Sequence, residues 1–422
     1  MTRNFKQLLL FYVLITLFNL NIKAASEKYV DNSPGYTITA YYWPNYHVDP
    51  RNEKWFGPGW TEWEITKYAR PRFEGHDQPK VPVWGYEDES DPEVMAKKID
   101  AAAKYGVDVL IFDWYYYDDG PFLKACLDKG FLKANNNHKA KFALMWANHD
   151  MPDVFPTKLY ECYPNWTILI PGDVTRKTFD KMTDEIIANY FKHPSYWLID
   201  GCPYFSIYDL DTMIKGLGSL ENTKQALKDF RAKTKAAGFP DLHLNVVLRG
   251  DLVIGGGALV LSRETVEQPD YDQDKITIEL GFNSLGAYTW HHNVSFPDFP
   301  TTQYQYVREK SIIHWRDTVK KFTLPYYGNV TCGWDSTPRV CTTDVYVNKG
   351  YPYLPTLVGN TPDEFKKSLA EMKKWLDEGG NEQKIFSINS WNEWPEGSYL
   401  EPDKTNGFGY LEAIKEVFGR NK

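Results

Sequence analysis

Short apolar segments alternate with amphipathic ones through almost the whole chain, and this alternation limits the fold more than any other feature. Strand-like runs read "YTITAYYW" (36–43), "VDVLIFDW" (107–114), "KFALMWAN" (141–148), "YWLIDGCPYFSIYD" (196–209), "LHLNVVLR" (242–249), "SLGAYTW" (284–290), "FTLPYYG" (322–328) and "KIFSINSW" (384–391). Helical segments separate them. "DPEVMAKKIDAAAKYG" (91–106) places Met95, Ile99 and Ala102 on one face and meets a stop at Gly106. "RKTFDKMTDEIIANYF" (176–191) reads as a second helix. Before the last strand, Thr361 suits a helix cap, Pro362 the first helical position, and Glu364 completes a capping box. Phe365, Leu369, Met372 and Leu376 share a face of that helix, and Gly379 ends it. Eight strands alternating with helices in 422 residues predict an α/β fold, a single (β/α)8 TIM-type barrel with long loops at one mouth. An open doubly wound sheet is the alternative. The chain shows no glycine-rich phosphate turn, so a nucleotide role for such a sheet has little support.

The first residues read as an address rather than as part of the fold. Arg3 and Lys6 precede an apolar run from Leu8 to Leu20, and Ala24 and Ser26 suit cleavage near position 26. The run is short for a membrane span. Residues 1–26 are therefore expected to be an export signal, and residues 27–422 one catalytic domain without stable membrane insertion. The compartment expected is periplasmic or extracellular. No Cys lies near the cleavage point to carry a lipid anchor.

A net charge of −8 gives no basic stripe for nucleic acid or anionic lipid. The five cysteines have no metal-ligand spacing, and neither a metal nor another cofactor is expected. Cys332 and Cys341 could form a short-range disulfide or stay as two free thiols. The outlying number is 16% aromatic residues, with 15 Trp and 29 Tyr. Such rings fill cores, and they also stack on the apolar faces of sugars.

In a barrel of this kind, functional residues sit at strand C-terminal ends and in the loops that follow. Trp43, Asn45, Tyr46 and His47 follow the first strand, and Trp60 and Glu62 lie in the loop beyond it. Asp113, Trp114 and Tyr116 end the second. Asn148 and His149 end the third, Arg249 the fifth, and Trp290, His291 and His292 the sixth. Trp334 and Asp335 follow the seventh, and Arg339 is a further candidate for an acidic sugar or sulfate. The last strand runs into "SWNEWPEGSYLEPD", with Asn392, Glu393, Glu396 and Tyr399. A ring of aromatics, amides and acids at one mouth predicts a saccharide cleft. Two carboxyl groups in unlike environments can supply the proton for a leaving oxygen and help for an oxocarbenium-like centre.

"WNEWPEGSYLEPD" resembles the Glu-x-x-Glu motif of glycoside hydrolase family 99, the endo-α-mannosidases and endo-α-mannanases, with Glu393, Glu396 and Gly397 at the matching positions. The chain as a whole is more similar to the family 99-like (WbsX-type) domain, through "YYWPNYHVDPRNEKWFGPGWTEWE", "PRFEGHDQPKVP", "FDWYYYDDGPF", "MWANHD" and "GWDSTPR". The resemblance implies retaining hydrolysis through a 1,2-anhydro sugar. Glu393 would then be the base on the 2-hydroxyl and Glu396 the general acid, then base. That route requires the 2-oxygen trans to the leaving group, as in α-mannosides, α-L-rhamnosides and β-glucosides. The expected partner is a polysaccharide or oligosaccharide. A glycosyltransferase or transglycosidase of surface polysaccharide synthesis, or a non-catalytic glycan binder, are the competing readings.

Overall fold

The computed structural model describes residues 35–250 and 272–419. The expected export signal therefore lies outside the described residues. Nine parallel strands all but close a barrel: β1 (Thr37–Tyr42), β2 (Val109–Tyr117), β3 (Lys141–Trp146), β4 (Cys202–Ile207), β5 (His243–Val247), β6 (Ser284–Gly286), β7 (Tyr326–Tyr327), β8 (Asn329–Thr331) and β9 (Ile385–Asn389). The hydrogen-bonded order runs β7-β6-β5-β4-β3-β2-β1-β9-β8. The ends of that path, β7 and β8, flank Gly328. Of the expected seventh strand (322–328), only Tyr326–Tyr327 is a strand, paired with β6; Asn329–Thr331, paired with β9, lies beyond its expected end.

The fourth expected strand (196–209) is also divided. Leu198–Ile199 folds back antiparallel on Cys202–Pro203, through a turn in which Asp200 and Gly201 take φ of 51° and 80°. Only Cys202–Ile207 joins the barrel.

The helices are α1 (Pro50–Phe56), α2 (Trp63–Tyr68), α3 (Pro92–Tyr105), α4 (Arg176–Ile186), α5 (Leu210–Leu217), α6 (Leu220–Ala236), α7 (Gln273–Glu279), α8 (Tyr304–Lys321), α9 (Pro362–Asp377) and α10 (Gly409–Phe418). Asp91 caps α3 by accepting from Glu93 N at 2.9 Å, and Gly106 ends it in the left-handed region at φ 89°, where a Cβ would be strained. The expected helix 176–191 keeps α geometry to Ile186 and widens to a π turn over Ile187–Phe191. Thr361 caps α9 through Glu364 N at 3.3 Å. The other half of the expected capping box does not form, because the Glu364 carboxylate pairs with Arg308 and Lys367 instead.

Two long connections meet over the C-terminal mouth. The segment after β3 joins the segment after β8 through a parallel bridge, Thr157 to Val340, with Thr157 N donating to Arg339 O at 2.8 Å and Cys341 N to Thr157 O at 2.9 Å. Tyr353 donates to Thr157 O at 3.0 Å. Cys332 and Cys341 are free thiols.

Candidate active site

The turn after β9 carries the acid pair. Ser390 Oγ accepts from Glu393 N at 2.9 Å and donates to Ser398 O at 2.6 Å, which pins the turn at its base. Gly397 closes it at φ 61°, where a Cβ would come within 2.7 Å of Asp335 Cβ. A side chain there would push apart the segments after β8 and β9.

Both neighbours of Glu393 are fixed by a buried network. Asn392 accepts from Trp43 N and donates to Trp43 O, each at 2.8 Å, and donates to Glu89 at 3.0 Å. The Trp391 and Trp394 indoles donate to the two oxygens of Glu401 at 3.0 and 2.8 Å. Lys98, buried on α3, bridges Glu89 and Glu401.

Arg339 organises the charge. Its Nη2 donates to Glu393 Oε1 at 2.9 Å and to Glu62 Oε1 at 2.9 Å, and its Nη1 donates to Glu396 Oε1 at 2.5 Å. Tyr351 adds a bond to Glu396 Oε1 at 2.9 Å. One oxygen of each member of the pair is thus anchored on Arg339, and the second oxygen of Glu393 lies 3.5 Å from the Tyr288 hydroxyl. Burial, and then the Glu396 charge, push Glu393 well above the ordinary glutamate range against the pull of Arg339. Asp113 is likewise raised, by burial first and then by Glu396, despite the Tyr288 hydroxyl donating to it at 2.7 Å. The site therefore holds protons that exposed carboxylates would release.

These acids lie in a cavity also lined by Trp43, Tyr115, His149, Tyr208, Tyr288, His291, His292, Trp334 and Tyr351. Several buried polar atoms of the lining have no protein partner: Asp113 Oδ1, His291 Nε2, His292 Nδ1 and Trp334 Nε1. Burial lowers His149, pushes His291 down to about 4, and pushes His292 well below its usual value. Burial favours the neutral imidazole in all three; His149 spends its Nδ1 on Asp150 O at 2.6 Å and keeps Nε2 as an acceptor, while His291 Nε2 and His292 Nδ1 have no protein partner. Among the described residues, no three His, Cys, Asp or Glu side chains converge as a metal site.

Of the residues expected to touch substrate, the structure brings Trp43, Asp113, His149, His291, His292, Trp334 and Arg339 to the cavity with Glu393 and Glu396. The others are placed elsewhere. Trp114 and Tyr116 alternate with Asp113 and Tyr115 along β2 and so point to the other face, where they stack on each other and Tyr116 reaches Glu185 on α4. Trp290 turns toward α8, stacking on Tyr304 and donating to Asn329 O at 2.8 Å. Tyr46 and Tyr399 lie beneath the pair, stacked on Trp63 and Trp394. Trp60 packs on Phe56 and Phe155, and His47 is buried beside Val48 O. Asn148 braces Asp209, and Asn392 braces Trp43. Arg249 pairs with Asp209 and lies over Tyr208. Within the cavity, Arg339 pairs with the glutamates rather than with an aspartate.

Glu62 is wholly buried with both oxygens filled, by Arg339 on one side and by Trp43 and Asn45 at 2.6 and 2.8 Å on the other. It anchors Arg339 and has no oxygen left for a sugar. Tyr208, Tyr288 and Tyr351 also line the cavity without having been expected there. Tyr351 lies deep in a loop with no local signal.

A sequence profile described as "Glycosyltransferase WbsX" matches residues 38–414. The chain belongs to the WbsX family. Relatives of the chain include the "Uncharacterized protein WxcX" of two Xanthomonas campestris pv. campestris strains, ATCC 33913 and B100, each 25% identical over 398 residues and 91% of this chain. The chain spans about half the length of these curated relatives, 50% in each case. Among solved structures, the WbsX chain is similar to the GH99 endo-alpha-mannosidase from Bacteroides thetaiotaomicron, at 15% identity and TM-score 0.50 over 90% of this chain and 95% of that one. It is similar also to a "glycoside hydrolase-like protein", at 14% identity and TM-score 0.55 over 91% and 94%. These likenesses establish a shared fold with glycoside hydrolases.

Proposed function

We propose that this WbsX-family chain is an exported glycoside hydrolase that cleaves a polysaccharide or glycan through the Glu393–Glu396 pair. The observation that carries the reading is the anchoring of both glutamates on Arg339 at the base of a cavity lined by unpartnered polar atoms. Burial and the charge of its neighbour raise Glu393, which disfavours ionising both acids at once. One acid plus one base is the protonation count that the reaction needs.

Glu393 takes the 2-hydroxyl proton, the 2-oxygen attacks C1, and the C1–O bond to the leaving group breaks as Glu396 protonates that oxygen. Glu396 then takes a proton from water. The water oxygen attacks C1, the three-membered ring opens, and Glu393 returns the proton to the 2-oxygen. Arg339 neutralises charge on whichever glutamate is ionised. The neutral imidazoles and Asp113 Oδ1 are placed to bond ring hydroxyls. Transfer to a sugar hydroxyl instead of water would use the same acids, and the family description "Glycosyltransferase WbsX" keeps that second reading in view.

The test is a screen of mannans, rhamnose-containing polymers and β-glucans, with an α-glucan as control, using the wild type beside Glu396→Gln. Products are read by mass and reducing ends. New reducing ends lost in Glu396→Gln are expected. Elongated products without new reducing ends would favour transfer. Cleavage of the α-glucan would overturn the anhydro-sugar route.

A further inference from the structure

One wall of the cavity differs in chemistry from the rest. Met145 at the end of β3, then Met151, Pro152, Val154 and Phe155 from the connection that follows, line it without a nitrogen or oxygen in any side chain. Met145 stands in register with Asp113 on β2, so this wall begins beside the polar floor. Met145, Met151 and Val154 are buried. Asp150 also reaches the cavity from this segment, but its Oδ1 already accepts from Gly172 N at 2.8 Å.

Flat rings such as Trp43 and Tyr115 suit the broad C–H face of a sugar. Thioether and branched aliphatic groups suit a compact apolar substituent instead. A hydroxymethyl group pressed against these five residues would bury a hydroxyl with no partner among their side chains, whereas a methyl would gain apolar contact. We infer that the sugar cleaved at the Glu393–Glu396 pair is a 6-deoxyhexose, its C6 methyl seated against Met145, Met151 and Val154. This rests on the hydrolase reading for where the reacting sugar sits. Together with the trans 2-oxygen requirement, it narrows the candidates to 6-deoxyhexosides whose 2-oxygen is trans to the leaving group, such as α-6-deoxy-mannosides and β-6-deoxy-glucosides.

Matched 4-nitrophenyl glycosides that differ only at C6 test it: α-L-rhamnoside against α-L-mannoside, α-D-rhamnoside against α-D-mannoside, and β-D-quinovoside against β-D-glucoside. In the pair that is cleaved, kcat/KM is expected to favour the 6-deoxy sugar by about 10–100-fold, the range an apolar pocket achieves against an added hydroxyl. Met151→Gln offers an amide to O6 and is expected to narrow that ratio by about tenfold. Equal or faster cleavage of the hydroxymethyl sugar overturns the inference, and so does an equal loss on both sugars in Met151→Gln.

If no pair is cleaved, the hydrolase reading is what suffers, and binding of the matched methyl glycosides to the wild type and to Glu396→Gln by saturation-transfer NMR decides the present point. Selective binding of the 6-deoxy member, with its methyl protons the most strongly saturated, upholds the C6 seat. Indifferent binding, or none, overturns it.

Discussion

At the scale of single residues, the site is a problem of charge held out of water. Glu62, Glu393 and Glu396 converge on one guanidinium, and Asp113 lies close enough for Glu396 to raise it. Replacing either member of the pair by the isosteric amide keeps the packing and removes the proton transfer. Glu393→Gln and Glu396→Gln are each expected to lower kcat by about 10²–10⁴-fold with an unchanged far-UV spectrum. Unchanged turnover in either would remove that residue from the chemistry.

The proposed base sets a pH limit as well. Glu393 must be ionised to take the 2-hydroxyl proton, so a carboxyl held above the ordinary value of 4.5 places the acid limb of kcat/KM above where an exposed glutamate would put it. Arg339 pulls the Glu393 value down, so Arg339→Met is expected to move the limb further up even as activity falls. A limb that stays put or moves down in stopped assays across pH would show that Arg339 does not act on the pair.

At the scale of elements, the turn that carries the acid pair depends on groups outside the cavity lining. Lys98 on α3 bridges Glu89 and Glu401, which in turn hold Asn392, Trp391 and Trp394 around Glu393. Lys98→Met leaves two buried carboxylates facing each other, and a loss of about 3–5 kcal/mol is expected in denaturant unfolding. A loss under about 1 kcal/mol would mean that the network relaxes without its cation. The α9 cap is a milder case. Thr361→Ala removes the bond to Glu364 N and is expected to lower stability by about 0.5–2 kcal/mol with activity kept.

At this scale the sequence was legible where periodicity rules. The face of Phe365, Leu369, Met372 and Leu376 is buried as expected, and Gly106 stops α3. It was less legible where one residue resets the pairing. Gly328 ends the seventh strand because each of its flanks bonds a different neighbour. On β2, the run "DWYYY" has a uniform composition, but strand alternation sends Asp113 and Tyr115 to the cavity and Trp114 and Tyr116 toward α4.

At the scale of the molecule, the buried acids set stability against function. Asp113 has a folded value raised well above its ordinary 3.8. A group raised in this way stabilises the fold fully while protonated, and that contribution is lost as pH rises through the folded value. Asp113→Asn keeps an acceptor for the Tyr288 hydroxyl and removes the ionisation. Its Tm is expected to match the wild type near pH 4 and to exceed it increasingly toward pH 8, while turnover falls. A gap that shrinks with rising pH in thermal scans would show that Asp113 stays neutral throughout or is stabilised when charged.

The sequence by itself determined the barrel and its functional end, because strand and helix periods and end signals act over a few residues. It also placed Glu393 and Glu396 on the last strand's exit, because the motif there is contiguous. Only the tertiary structure decided which polar residues share the cavity. Arg339, Tyr288 and Tyr351 come from separate loops after the sixth and eighth strands, and no local period records that they meet the pair. It decided also that Glu62 is an anchor rather than a sugar ligand. Its environment is assembled from Arg339, Trp43 and Asn45, and a carboxylate's role is set by which donors reach it once the chain has closed.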